Sequence, residues 1–172
     1  MKKIRLENIL NKNYALCYIF AVGIYLFWNT GIHSDDYSII YELSKVDFYN
    51  FINPDPNLKK QVIFAILSHY FINWSFDLFG HSYLIIYDFF KFFIHAISFY
   101  CIYKFSSDYF SKDRAYLVSI LFIFFPNHDS TIFWLSATPF ILTPAIIMYS
   151  HYLFRREKIY AGLILLFFSS FF

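Results

Sequence analysis

Two adjacent carboxylates, Asp35 and Asp36, stand in the stretch GIHSDDYSII at 31–40, directly after a long apolar run. Such a pair can be a solvated loop end, or it can meet the positive dipole end of a following helix. It can also act as a general base or a divalent-metal ligand at a membrane surface. Adjacent side chains diverge, so one carboxylate can face a substrate while the other holds a metal or a partner group. A second constellation is Asp88, Lys91, His95 and Ser98, at i, i+3, i+7 and i+10. That spacing is one helix face. Ionisable groups in hydrocarbon are costly, so they turn inward and pair, and by default they mark a site. The plain alternative is that Asp88 and Lys91 only neutralise each other. A third constellation is His128-Asp129, ahead of Trp134. It reads either as a capping Asp with an interfacial Trp or as a further carboxylate approaching the first pair. His69, His81 and His151 show no convincing metal-ligand spacing. There is no CxxC and no HExxH, and four Gly leave little room for a phosphate-cradling loop. Cys17 and Cys101 both lie in apolar blocks and read as buried free thiols.

The elements that must hold these groups follow from composition. The 172 residues are 59% hydrophobic and 26% aromatic, with only 15% charged. The apolar residues come in long blocks rather than amphipathic stripes, which is the pattern of an integral membrane protein. The expected fold class is all-α: a polytopic transmembrane helix bundle in a single membrane domain, 1–172. About five spans are expected, near 14–32, 83–103, 112–126, 138–154 and 159–172. A first long loop, 33–82, carries two outer interfacial helices. The first surface helix is read in YSIIYELSKVDFYNFI and is ended by NPDPN at 53–57. The second is read over Gln61–Phe79, because His69, Asn73 and Asp77 make a polar stripe, and Gly80 is its stop signal. Thr138-Pro139 opens the fourth span and Pro144 should kink it. The last apolar run, from Ile159, stops at Phe172 without a polar flank, so the chain is expected to be an N-terminal portion of something larger.

Charge tests the layout. Lys2, Lys3, Arg5 and Lys12 precede the first span, Lys104, Lys112 and Arg114 surround the second turn-around, and Arg155, Arg156 and Lys158 follow the fourth span. These ten of the fourteen Lys and Arg share one side, whereas 33–82 and 127–131 hold three. The positive-inside rule then puts the N-terminus in the cytoplasm of a multi-pass protein of the cell or inner membrane. Asp35-Asp36 and His128-Asp129 share the opposite face. Membrane lipid is an expected partner and nucleic acid is not; oligomeric state is unread.

The order of features resembles the N-terminal part of the GT-C superfamily of membrane glycosyltransferases, of the protein O-mannosyltransferase or aminoarabinose transferase type. The matching elements are SDDY at 34–37, DLFGHSY at 77–83, the basic inner loop KFSSDYFSKDR, then FFPNHDS and FWLSATP. They cover nearly the whole chain. Each is weakly specific alone, and their order and spacing are more so. The resemblance implies that an acidic residue of the first outer loop acts as base or metal ligand, which lands on Asp35 or Asp36, with Asp36-Tyr37 closer to the pattern. It implies that Asp129, beside His128, helps form the site, and that the donor is a polyprenyl-phosphate-linked sugar used on the non-cytoplasmic face. Lys91 is the basic group for the lipid phosphate by position. A divalent metal, Mg or Mn, is compatible with the chemistry but not required by it. Family members have roughly twice as many spans, which puts activity of these residues alone in doubt. Two alternatives stand beside this reading: another polytopic envelope protein, such as a polymerase, acyltransferase or transporter, or an inactive membrane remnant. The first would be favoured by an intramembrane Asp88-Lys91-His95 line with no part for the loop aspartates.

Overall fold

In the computed structural model of the chain, the residues described are 23, 30–32, 35–43, 74–80, 84–124, 137 and 139–170. Most of them are helical, with no strand among them. Five helices occur in this order: α1 (Asp35–Leu43), α2 (Leu84–Ser106), α3 (Lys112–Ile123), α4 (Pro139–Arg155) and α5 (Ile159–Ser169). A short helical stretch at 74–79 precedes α2.

α2 is the central element. Its 23 residues at about 1.5 Å rise make a rod of about 34 Å, enough for a hydrocarbon layer of about 30 Å. Within it, Ile85–Ser106 is the one described segment long and apolar enough to cross a membrane. α3 has 12 residues, α4 has 17 and α5 has 11. All three are shorter than the ~20 residues of a full span. The expected spans at 83–103, 112–126, 138–154 and 159–172 therefore each coincide with a helix, but the helices differ in reach. α3 ends sooner than expected: Phe124 has left helical geometry at φ −102 and ψ 20. Two residues on, the sequence has Pro126, which disfavours helix in the residue before it. α4 opens on Pro139, where a proline's missing N–H costs nothing, and carries Pro144 inside. Of the expected first span at 14–32, only Gly23 and 30–32 are described. Gly23 is helical and buried, and a Cβ there would sit 2.6 Å from the Phe92 ring of α2.

α2 packs against α3 and α4, and α4 packs against α5. The interior between them is apolar. Ile94, Ile123, Ile141 and Leu142 form one cluster, and Cys101, Ile102 and Ala145 form another, with Cys101 a free buried thiol. Ser98, Ser119 and Ser150 are buried too, each donating its hydroxyl to the carbonyl four residues back (2.8–2.9 Å). Small residues that satisfy their own hydroxyls let helices approach closely where no water is available.

The face of α2 turned away from this core is apolar as well. Ile85, Phe89, Phe93 and Tyr100 are exposed, whereas Asp88, Lys91, His95 and Ser98 are buried. That is the reverse of the polar-out pattern of an amphipathic helix in water.

The two ends of α2 differ. At its C-terminal end the tight turn 107–111 puts Asp108 against α4. Arg156 donates to Asp108 Oδ1 at 2.9 Å and Arg155 lies 3.9 Å from Oδ2. Tyr109 Oη and His151 Nε2 are 2.9 Å apart. The basic segments 104–114 and 155–158 thus share one end of the bundle, as the alternation of charge requires. The aspartates of the first loop lie at the other end.

The expected surface helix in the first loop is helical from Asp35 to Leu43, so the Asp pair is its first turn rather than a preceding loop; residues 44–52 lie outside the described set. Of the second surface helix at 61–79, only 74–79 is described. Gly80 stops it. Its φ of +53 is left-handed backbone, and its N–H donates to the Phe76 carbonyl at 2.7 Å, the hydrogen bond of an αL helix terminus.

Candidate functional site

Three pieces of chain meet at the N-terminal end of α2: Thr30–Ile32, α1, and the 74–80 turn. An apolar cluster of Ile32, Ile40 and Tyr87, flanked by Phe76, Phe79 and Phe90, packs them together. Tyr87 is buried, and its hydroxyl lies within donating distance of the Gly80 carbonyl (3.2 Å) and the Ser75 carbonyl (3.4 Å). A tyrosine with an apolar ring and a bonded hydroxyl suits such a junction. It ties the glycine-terminated turn to α2.

Next to it sits the charged centre. Asp88 Oδ1 accepts hydrogen bonds from the Thr30 hydroxyl and from the Gly31 N–H, both at 2.7 Å. Lys91 donates to the Gly31 carbonyl at 2.8 Å and to the Thr30 hydroxyl oxygen, and its ammonium lies 3.3 Å from Asp88 Oδ1. Gly31 has φ +56, a conformation in which a side chain would be strained. Both polar groups of one glycine are therefore held by one i,i+3 ion pair. The second Asp88 oxygen, Oδ2, is buried and makes no hydrogen bond among the described residues. His95 continues the face, with Nδ1 2.8 Å from the Lys91 carbonyl.

Asp36 belongs to the same centre. It has 0% exposure and lies within Coulombic range of the Lys91 ammonium. Ile40, one helical turn on, is also buried, while Tyr37, Ser38 and Tyr41 are exposed. The buried face of α1 thus carries a carboxylate and an aliphatic side chain towards α2. Of the readings open for the pair, a solvated loop end is excluded for Asp36. The position in the first turn also suits a carboxylate electrostatically. Asp35 opens α1. Tyr37 stands near Tyr87 at the rim, partly open to solvent.

The structure thus brings together Asp36, Tyr37 and Lys91 from the expected site residues. His128 and Asp129 lie outside the described residues. Lys91 is placed differently from a residue waiting for a lipid phosphate. It has 0% exposure, and an ammonium has three hydrogens, for which Thr30, Gly31 and Asp88 offer three oxygens. A phosphate contact would displace one of them. No group of three or more His, Cys, Asp or Glu side chains able to hold a metal ion occurs among the described residues, so no step is derived through Mg or Mn. Thr30, Gly31 and Tyr87 were not expected at the site. The dipeptide Thr30-Gly31 at the end of the first apolar run was the available signal: a glycine just past a helical run commonly adopts φ > 0. Nothing in the sequence pointed to Tyr87.

No protein-family model, no curated protein and no solved structure matches the chain.

Proposed function

We propose that the protein is a multi-pass membrane protein, N-terminus in the cytoplasm, carrying the first-loop site of a polyprenyl-phosphate-sugar-dependent glycosyltransferase of GT-C type. In this reading an acceptor hydroxyl attacks the anomeric carbon of the lipid-linked sugar at the non-cytoplasmic face. Asp36 takes the hydroxyl proton, and the lipid phosphate leaves as an anion that needs no proton. Base assistance of this kind contributes about 10²–10⁴-fold. The observation that carries the reading is the burial of Asp36, within Coulombic range of Lys91, at the end of α2 opposite the basic loops. A carboxylate with no function beyond solubility would stay in water, because burying it costs free energy. The order of sequence elements from SDDY to FWLSATP supports the same reading.

The test uses the full chain in proteoliposomes, with a polyprenyl-phosphate sugar inside or outside the vesicle. Asp36→Asn is expected to keep the fold and lose about 10²-fold or more of transfer, with Asp35→Asn as comparison. If neither substitution changes transfer, the aspartates are structural and the reading fails.

A second reading has its own observation. Asp88, Lys91, His95 and Ser98 form a continuous buried polar line along α2, the arrangement of ion and proton pathways in transporters. It predicts substrate movement across vesicles that depends on His95 and is indifferent to Asp36→Asn.

A further inference from the structure

We infer that the Asp88–Lys91 pair is a positioning device: it clamps Thr30 and Gly31 and thereby fixes the approach to α1 and the placement of Asp36, rather than contacting a donor phosphate. This deepens the transferase reading and rests on it only for what Asp36 does once placed.

The distances distinguish a clamp from simple neutralisation. If the two charges served only each other, their mutual contact would be the short one. Instead the ion pair is the longest contact of the set at 3.3 Å, and both bonds from Asp88 Oδ1 to Thr30 and Gly31 are 2.7 Å. Lys91 reaches the Gly31 carbonyl at 2.8 Å. The charges are arranged around the connecting segment. Their signs also match it. The carboxylate faces the Gly31 N–H, the ammonium faces the Gly31 carbonyl, and the Thr30 hydroxyl bridges them by donating to one and accepting from the other. Charge-assisted bonds of this type are the strong ones. The left-handed Gly31 lies five positions before Asp36 in the sequence, so holding its peptide groups limits how far α1 can shift. Ile32 and Ile40 then pack on Tyr87 beside the clamp.

The pair's order in the sequence gives a decisive test. Exchanging the charges, Asp88→Lys with Lys91→Asp, keeps a neutral i,i+3 pair on the same face. It also sets an ammonium against the Gly31 N–H and a carboxylate against the Gly31 carbonyl. Neutralisation survives the exchange and the clamp does not. Placement of α1 is read from Ile40→Cys, a buried position on its inner face, in a background with Cys17 replaced and the buried Cys101 retained. The detergent-solubilised full chain is treated with a maleimide, and labelling at the two thiols is followed separately by peptide mass. In the parent both thiols react slowly. In Asp88→Asn, in Lys91→Met and in the exchanged pair, the thiol at position 40 should react about tenfold faster or more, because local opening sets its access. Cys101 should stay protected, showing that the α2–α3–α4 bundle is intact. Thr30→Ser, which keeps the bridging hydroxyl, should label like the parent, and Thr30→Val should label faster. Parent-like labelling in the exchanged pair overturns the clamp in favour of neutralisation. Equal deprotection of Cys101 overturns it in favour of a general role in folding. Because labelling reads geometry and not transfer, Asp36→Asn with unchanged transfer would end the transferase reading while leaving the clamp standing.

Discussion

Removing both charges of the Asp88–Lys91 pair should cost less than the sum of the two single losses, and the two single losses should differ. Asp88 is 5% exposed and Lys91 is 0% exposed, so neither charge can recover its lost partner's contribution from water. Breaking a buried pair by deleting one member typically costs about 3–5 kcal/mol, whereas replacing both by uncharged groups can be close to neutral. Asp88→Asn keeps an oxygen for the Thr30 hydroxyl and the Gly31 N–H, and leaves Lys91 within range of Asp36. Its cost should fall at the low end, about 3 kcal/mol. Lys91→Met removes the cation from both Asp88 and Asp36 and strips the donor from the Gly31 carbonyl. Its cost should reach about 5 kcal/mol. The double variant should cost less than the sum, with a coupling of about 2–3 kcal/mol, at the upper end for contacting residues. The cycle is measured by reversible SDS unfolding in mixed micelles, following the fluorescence of the chain's three Trp. Additive single costs, or a Lys91→Met cost no larger than that of Asp88→Asn, would refute the burial and the shared cation from which these magnitudes come. Stability and placement then separate. The double variant can recover part of the summed cost and still leave the thiol at position 40 open, because without Lys91 the Gly31 carbonyl loses its donor.

Gly80→Ala should cost about 1–2 kcal/mol, the strain of a Cβ in left-handed backbone. An added Cβ would meet only the Phe76 carbonyl oxygen, at 4.0 Å, so no clash contributes; Gly80→Asn should cost less, and the same SDS titration measures both. At the opposite end, Arg156→Ala should cost less than about 1 kcal/mol, because its guanidinium is about half exposed although Asp108 is 8% exposed. Asp108→Asn, which weakens the contacts to Arg155 and Arg156 together, should cost more than either arginine alone. Both effects should shrink as salt rises, and salt-independent costs of several kcal/mol would contradict a surface contact.

The helices of the apolar blocks were legible because their signals are local and repeated. The six basic residues of 104–114 and 155–158 share one end of the described helices, and Pro139 and Gly80 marked a start and a stop. The polar face of α2 was legible for the same reason: Asp88, Lys91, His95 and Ser98 fit a helical period within one uninterrupted run. What those four residues do was not legible. The partners of Asp88 and Lys91 are Thr30 and Gly31, separated from them by 57–61 positions, and periodicity carries no information across that distance. The pairing of Asp88 with Lys91 is an i,i+3 contact that the spacing had offered, whereas the burial of Asp36 followed from tertiary contact. Adjacent aspartates after an apolar run fit a solvated turn as well as a buried helix start. The end of α3 was overextended because Phe124 and Phe125 look like more of the same apolar run, whereas the chain turns at Phe124.

The distribution of charge in α2 bears on which solvent the helix was built for. In water, Ile85, Phe89 and Phe93 would turn inward, and Asp88 and Lys91 would turn out. Here the large apolar side chains are outward and the ion pair is sealed inside. Exposed apolar surface of this kind is stable in hydrocarbon and a liability in water. A polar centre that must avoid lipid has only the helix interface to occupy. Once there, every donor and acceptor needs a protein partner, since no water supplies one. Lys91, Thr30 and Gly31 meet that demand among themselves and with Asp88 Oδ1, but Asp88 Oδ2 is left over, with Asp36 in the same charged centre. Asp88 pairs with the Lys91 ammonium directly, and Asp36 lies within its Coulombic range. In the transferase reading proposed above, the buried carboxylate at this end of the bundle, away from the basic loops, is the group that would accept a proton from an arriving hydroxyl.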